Sequence, residues 1–599
     1  MAAPSTRQWG VTPPISTVLP TADELAANDD LIAELKAQNN FESPAETERR
    51  KQVLDLIQRV MLEFVKTVSR KKGLSAAAVD AAGGKIFTFG SYRLGVYGPG
   101  SDIDTLVVGP KHVSIDDFFA EFPSALEKLA PAGAIEKMTP VPDAFVPIIK
   151  LEMSGISIDL IFARLMVPSV PINLDLKNND YLRGLDEREA RSLNGTRVTD
   201  EILELVPQQK TFRFALRAIK LWAQRRAIYS NIVGFPGGVA WAMLVARVCQ
   251  LYPQATGSVI VGKFFRIMNK WAWPQPVLLK PIEDGPLQMK VWNPKIYHGD
   301  RFHLMPIITP AYPSMCATHN VSLSTKCVLL RELQRGGDIV DKIFMKQLSW
   351  SDLFARHTFF TKDYKYYLSI TASSKTKEAE AVWSGLVESK IRLLVGALDR
   401  KATIAVAHPF PKGFERTHIV SNEAELEQVK NGSTKFQDKG IKTETTDEQN
   451  DATHQAVALN GVENENAEVP EAAQKQENGD SRRIYTTTYY IGLELKLEPG
   501  ASRSLDISTD AQIFKSTCTS WAGYQPGIND LAVTHIRNFD MPDDVFQPGE
   551  TRPTRPKKKV VKKADAVSGQ KRTLESIDDP SHPSKRQATS NTPSAATPA

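Results

Sequence analysis

The stretch Phe89-Gly-Ser-Tyr-Arg-Leu-Gly-Val-Tyr-Gly-Pro-Gly-Ser-Asp-Ile-Asp104 constrains this chain more than any other. It closes the apolar run Lys85–Phe89, so Gly90-Ser91 falls in a turn. Asp102 and Asp104 stand two residues apart, and alternate side chains of an extended strand share a face. Two carboxylates on one face repel each other and make poor core residues; a divalent cation removes that repulsion. The Gly-Ser turn offers backbone N–H groups and a hydroxyl to an anion. Asp-x-Asp by itself is also the pattern of a solvated turn or a helix cap, so a third acid matters. Ile156-Ser-Ile-Asp-Leu-Ile-Phe162 reads as a β-branched strand with one charge, Asp159, at its centre. A carboxylate in such a run is costly to bury unless paired or metal-bound. With this strand beside that of Asp102, three carboxylates converge, an arrangement that suits two Mg²⁺ ions and nucleotidyl transfer.

Composition narrows the class. At 599 residues the length suggests three or four domains. A net charge of +5 is mildly basic and compatible with an acidic partner. The four cysteines, Cys249, Cys316, Cys327 and Cys518, form no C-x-x-C pair, which argues against a structural zinc site or a disulfide framework and for a reducing compartment. Met1 to Pro20 is polar and Pro-rich, without a signal-peptide core. No apolar run approaches the ~20 residues that span a bilayer. Val239–Cys249 is short and interrupted by Arg247.

The chain reads as five segments: a flexible arm (1–20), a catalytic α/β palm (21–200), a helical middle domain (201–352), a third domain (353–545) and a disordered basic tail (546–599). Ala22–Asn39 and Ala45–Lys72 read as helices, the second with Val53, Ile57, Val60, Met61, Phe64 and Val65 at helical period. Another helix is expected at Ile115–Leu129. Asp200 suits the start of a helix Glu201–Val206, and Pro207 the start of the next, Gln208–Ile228. In the third domain we expect a strand Tyr364–Thr371 and a helix Thr376–Leu398 with Val382, Leu386, Ile391, Leu394 and Leu398 near one side. A strand Ala402–Ala407 follows, ended by His408-Pro-Phe-Pro411, then a strand from Arg483 to Leu497 and a helix Ser508–Thr519. That order suits a ferredoxin-like split βαβ domain. Residues 437–481 are acidic and poor in aromatics, the composition of a disordered insertion. Arg552-Pro-Thr-Arg-Pro-Lys-Lys-Lys-Val-Val-Lys-Lys563, with Lys571-Arg572 and Lys585-Arg586, reads as a nuclear import signal or a nucleic-acid-binding tail.

The second half of the site lies further on. In helix 208–228, Phe212, Leu216, Ile219 and Ala223 form an apolar line; Arg213, Arg217, Lys220 and Gln224 run beside it, the pattern of a solvated helix face or of a groove edge that meets a triphosphate, the first being the commoner. Gly234, Gly237 and Gly238 make a loop that allows close approach to the backbone. A helix beginning near Val239 aims free N–H groups at that loop. Tyr229 can stack on a base, and Asn231 can bond to a base edge or sugar.

Taken together, Phe89-Gly-Ser-Tyr-Arg-Leu94, Ser101-Asp-Ile-Asp104, Ser157-Ile-Asp-Leu160, Ser192-Leu-Asn-Gly-Thr-Arg197, Lys220-Leu-Trp-Ala and Tyr229–Trp241 closely resemble the eukaryotic nuclear poly(A) polymerases, within the DNA polymerase beta-like nucleotidyltransferase superfamily. The resemblance covers roughly residues 10 to 540. It implies an α+β multidomain fold: a nucleotidyltransferase palm with a mixed sheet, a helical middle domain and a C-terminal RRM-like domain. It also implies template-independent addition of AMP from ATP to an RNA 3′ end. Asp102, Asp104 and Asp159 match the metal-binding acids, with Ile103 between the first two counted in the nucleotide-binding set. Phe89, Gly90 and Ser91 match the segment near the ATP phosphates, and Lys220 and Tyr229 match contacts to the nucleotide. Gly238 and Val239 match the loop beside the adenine, Asn231 a residue at the nucleotide or RNA end, and Lys150 an RNA-binding position. Two Mg²⁺ ions, with Mn²⁺ as a substitute, a nuclear location, a monomer without membrane association, and tethering to the cleavage and polyadenylation machinery follow from the same resemblance.

Two features depart from it: the third domain lacks the RNP1 octamer of a typical RRM, and the acidic insertion falls inside that domain. The competing readings are a terminal uridylyltransferase, a CCA-adding enzyme, which does not share the 220–241 match, and a catalytically inactive RNA-binding scaffold, which does not require three acids.

Overall fold

The alternation between Lys85 and Leu165 resolves, in a computed structural model, into a five-stranded mixed sheet. The structure describes residues 8–142, 146–285, 287–438, 440, 444–445, 482–496 and 505–555. Its contacts separate a unit 1–553 from a unit 554–599. Two helices precede the sheet, α1 (Ala22–Ala37) and α2 (Pro44–Lys71), each opened by a capping box, Thr21 with Glu24 and Ser43 with Glu46. A short α3 (Ala76–Ala81) leads into β1 (Lys85–Thr88), α4 (Gly90–Leu94), β2 (Ile103–Gly109), α5 (Ile115–Leu129), β3 (Ile135–Val141), β4 (Ile148–Met153) and β5 (Ile156–Arg164). The strand order is β1-β2-β5-β4-β3; β2 and β5 are parallel, and the other pairs are antiparallel. The α2 stripe read from the sequence is buried under this sheet, where Phe64 meets Phe118, Phe122 and Phe162 edge-on.

The next helix corrects the sequence reading. A single helix, α6 (Glu187–Leu205), runs through Asp200, which therefore starts nothing. Its N-cap is Asp186, whose side chain accepts from the Glu189 N–H. Arg191, Ser192, Asn194, Thr196, Arg197 and Thr199 are all buried on it. Because α6 buries these polar residues as well as Leu193, Val198 and Ile202, no single apolar stripe stands out and its period is invisible locally.

The middle domain packs α7 (Gln209–Arg225), α8 (Gly238–Leu251), α9 (Gly257–Asn269) and α10 (Leu323–Phe344) around aromatic contacts such as Trp222–Trp241 at 5.7 Å and Trp222–Phe265 at 4.8 Å. Pro207 lies outside α7, which Gln208 caps. Residues 8–20, expected to be a flexible arm, lie along the end of α8. There the Ile15 N–H donates to the Leu251 carbonyl at 2.8 Å, and Arg247 donates to Thr12 Oγ1 at 2.6 Å. No helix among the described residues is long and apolar enough to cross a membrane.

After the short helix α11 (Trp350–Leu353), the third domain comprises β6 (Tyr366–Ser374), α12 (Lys377–Leu398), β7 (Ile404–Pro409), β8 (Phe414–Val420), α13 (Glu423–Lys430), β9 (Glu444–Thr445), β10 (Arg482–Leu495), α14 (Ser508–Thr519) and β11 (Asn529–Arg537). The sheet order is β11-β6-β10-β8-β9, with β7 also on β10. β8, α13 and β11 add to the expected elements. β8 escaped notice because its inward residues include Arg416 and His418. His408-Pro409 belongs to β7 instead of ending it, pairing with Gly492 and Ile491. On α12 the buried face is Trp383, Val387, Ile391, Leu394 and Leu398; Val382 is 44 % exposed. Within the expected insertion 437–481, Glu444–Thr445 pairs with β8. Residues 446–481 and the tail beyond 555 lie outside the described residues.

Candidate active site

Parallel pairing of β2 with β5 sets Asp104 directly opposite Asp159. Asp102 stands one residue before β2. One carboxylate oxygen from each of Asp102, Asp104 and Asp159 lies within 4.8 Å of the others, and all three residues are buried. Asp159 Oδ2 is buried without a hydrogen-bond partner among the described residues. Burial pushes the Asp159 carboxyl up to about 6, and the Lys150 ammonium opposes that shift. Lys150 is the register partner of Asp159 on β4, so the two side chains share a face of the sheet. Three close, desolvated acids with an unsatisfied oxygen fit a divalent cation, the group that compensates such charge.

Gly90 makes the turn against these acids. Its φ is +60°, and it opens α4, a five-residue helix, where the sequence suggested a simple turn. The Phe89 N–H donates to the Asp104 carbonyl at 3.1 Å. The Gly90 N–H donates to Thr199 Oγ1 at 3.4 Å, and Thr199 in turn donates to the Gly195 carbonyl at 2.7 Å. The Phe89 ring lies against Gly195, where a Cβ would come within 2.8 Å of it. Helix α6 thus props the turn from behind.

A cleft beside the turn is lined by Gly90, Ser91, Thr199, Lys220, Tyr229, Gly238 and Val239. These come from the palm, α6, α7, the loop after α7 and the start of α8. Gly237, the N-cap of α8, supplies no side-chain hydrogen bond, so the first N–H groups of this helix lack a side-chain cap at the cleft. Lys220 Nζ lies 5.8 Å from the Tyr229 ring centroid. Asn231 is 3 % exposed, and neither polar atom of its amide has a partner among the described residues.

Three family models match this chain: the poly(A) polymerase nucleotidyltransferase domain over residues 10–206, the poly(A) polymerase central domain over 211–356, and the poly(A) polymerase predicted RNA binding domain over 358–555. The chain belongs to the poly(A) polymerase family. Among curated proteins, poly(A) polymerase pla1 of Schizosaccharomyces pombe is 55 % identical over 559 residues, covering 93 % of this chain and 96 % of that protein. Poly(A) polymerase PAPa of Candida albicans is 50 % identical over 566 residues, covering 94 % and 96 %.

Within this poly(A) polymerase fold the expected site residues divide by what they expose. Ser91, Lys220, Tyr229, Gly238 and Val239 face the cleft, and Lys150 faces the acids. Phe89 and Ile103 are 3 % and 0 % exposed, with side chains in the palm's cores, so they meet a ligand with backbone alone. The basic line on α7 also divides. Arg213 donates to the Leu94 carbonyl at 3.0 Å; Arg217 donates to the carbonyls of Tyr97 at 2.7 Å and Gly95 at 3.1 Å. These two arginines fasten α7 to the end of α4 and the loop that follows it, and of the four residues on the line only Lys220 lines the cleft. Thr199 was missed because its partner, Gly90, is 109 residues away and nothing in its neighbourhood signals the contact.

Proposed function

We propose that this chain is a template-independent polymerase that transfers AMP from ATP to the 3′ end of RNA and releases pyrophosphate, as in mRNA polyadenylation. The observation that carries this reading is the convergence of Asp102, Asp104 and Asp159 beside a cleft lined by Ser91, Lys220 and Tyr229. Membership of the poly(A) polymerase family supports adenylyl transfer over the uridylyltransferase, CCA-adding and scaffold readings.

In this reading the RNA 3′-oxygen attacks the α-phosphorus of ATP. The bond to the bridging oxygen of the β-phosphate breaks, pyrophosphate departs with that electron pair, and the hydroxyl proton passes to solvent. Asp102, Asp104 and Asp159 would hold two divalent cations, Mg²⁺ or Mn²⁺ as its substitute, which supply Lewis-acid activation of the hydroxyl and charge neutralisation for the leaving group. Ser91 and the backbone of Gly90 orient the phosphates. Lys220 adds a positive charge to the triphosphate, and Tyr229 lies beside it as a stacking face. The N–H groups of Gly238 and Val239 approach the adenine edge, and the Asn231 amide meets the nucleotide or the RNA end. Lys150 serves the RNA end and keeps Asp159 ionised. Positioning and charge screening carry most of the acceleration, as is general for phosphoryl transfer.

The domain division at about 200 and 353 is supported by family matches that change near the same places. The Lys/Arg clusters after Arg552 support nuclear import, and the family supports tethering to the cleavage and polyadenylation machinery of a monomeric enzyme. Primer extension on oligo(A) with each NTP and Mg²⁺ tests the activity. AMP addition by the wild type, lost in a folded Asp104→Ala variant, is expected. Preferential UMP addition, or retained activity in that variant, would overturn the reading.

A further inference from the structure

The far end of α8 carries a second concentration of positive charge, unrelated to the acids. Tyr252 is the C-cap of α8, and Lys263 and Arg266 lie on α9, with Lys270 as its C-cap. The spacing 263, 266, 270 places the three cations on one helical face. Together with Tyr252, Ile267, Trp271, Ala272 and Gln275 they line a groove of about 450 Å³. Among the described residues no carboxylate lines it, the nearest being Asp341 on Arg266. Lys263 Nζ stands 5.3 Å from the Tyr252 ring centroid, and the Trp271 Nε1–H is held by the Gln275 carbonyl at 2.8 Å, so an anchored indole and a phenol ring both stand beside the cations. Arg266 is engaged by Asp341, whereas Lys263 and Lys270 are in no ion pair among the described residues.

We infer that this groove is an auxiliary site for single-stranded RNA, holding the body of the chain whose 3′ end is in the active site. The inference rests on the polymerase reading above. Aromatic faces beside cations, with no directional set of donors and acceptors, are the chemistry of sequence-tolerant strand binding. Lysines act as point charges toward phosphate, and the one guanidinium present, which would hold a carboxylate bidentately, is already paired. The groove begins where α8 ends, and the cleft lies where α8 begins; the helix has 14 residues and spans about 21 Å. α8 itself is buried, so a strand that joins the two runs over the surface by more than this length, and only RNA long enough to do so is held at both. RNA too short to reach it gains nothing from it.

The test compares wild type with Lys263→Ala/Lys270→Ala and with Trp271→Ala, using 5′-labelled oligo(A) of about six and about twenty-five nucleotides. Fluorescence anisotropy is measured across a KCl series, and primer extension with ATP is followed on both lengths. In the double variant the long oligonucleotide is expected to bind several-fold more weakly, and the slope of log K against log salt to fall by roughly 1.4 for two lost phosphate contacts. Trp271→Ala is expected to weaken long-oligonucleotide binding without changing that slope. Binding and extension of the short primer stay at the wild-type level. Unchanged affinity and slope for the long oligonucleotide in variants that still extend the short primer would overturn the groove assignment alone. Loss of groove-dependent binding for polyglutamate but not for oligo(A) would also overturn it, in favour of an acidic peptide. Failure of the wild type to extend either primer would instead sink the polymerase reading.

Discussion

A methyl group on Gly90 would stand 2.0 Å from Oδ2 of Asp104. The turn and the acid are in contact, with no room for a side chain between them. The positive φ at Gly90 reinforces the requirement. Gly90→Ala is expected to displace Asp104 and lower kcat by on the order of 100-fold, with far-UV circular dichroism unchanged. Wild-type kcat in this variant would contradict the contact.

Lys150 and Asp159 form an electrostatic pair across β4 and β5. Burial raises the Asp159 carboxyl to about 6, and Lys150 holds it down. Cation binding needs the ionised form, so removing the ammonium moves ionisation to higher pH. Lys150→Met is expected to shift the acidic limb of the kcat/KM profile upward by roughly half a unit to one unit. A lowered rate with an unmoved limb would restrict Lys150 to contact with RNA.

The same carboxyl makes stability depend on pH and on metal. An unfolded Asp titrates near 3.8, so between that value and about 6 the folded, metal-free protein holds the extra proton. Stability therefore falls as pH rises through this window, by about 3 kcal/mol once it is passed. A bound cation offsets the loss. Mg²⁺ is expected to raise Tm more near neutral pH than at about pH 5, and Asp159→Asn to raise the metal-free Tm near neutrality while abolishing the Mg²⁺ response. Calorimetric scans at both pH values check this; an equal Mg²⁺ response in the Asn variant would refute it.

Arg217 joins α7 to the palm. Besides the Tyr97 and Gly95 carbonyls it donates to the Asn40 carbonyl at 2.5 Å, and its guanidinium lies 4.5 Å from the Phe41 ring centroid. Burial lowers its pKa to about 10, so it stays charged. Arg217→Ala leaves these half-buried acceptors without their donor and is expected to cost about 1–3 kcal/mol in urea unfolding. Arg217→Lys cannot reproduce the planar fork and is expected to recover less than half of that. Full recovery by lysine would show that charge alone matters.

Much of the site was legible because its signals are local. Asp-x-Asp at strand spacing, a lone acid in a β-branched run, and a glycine cluster before an apolar helix each fit within a short window. The α2 stripe was equally plain, since one of its faces is buried and the other wet. Where burial is not one-sided the signal failed. α6 encloses polar side chains and lost its period, β8 turns Arg416 and His418 inward, and Val382 proved exposed because the neighbouring residues supply the face of α12.

The sequence alone determined which chemical groups the protein possesses and the strand period that lets Asp102 and Asp104 converge. It also marked Gly90 as a turn. Tertiary structure decided that Asp104 stands opposite Asp159, that Thr199 braces Gly90, and that Arg213 and Arg217 serve the scaffold while Lys220 serves the cleft. The reason is physical. Side-chain period is a property of a few consecutive residues, whereas register, and which of several like charges finds a partner, depend on segments that meet only after the chain has folded.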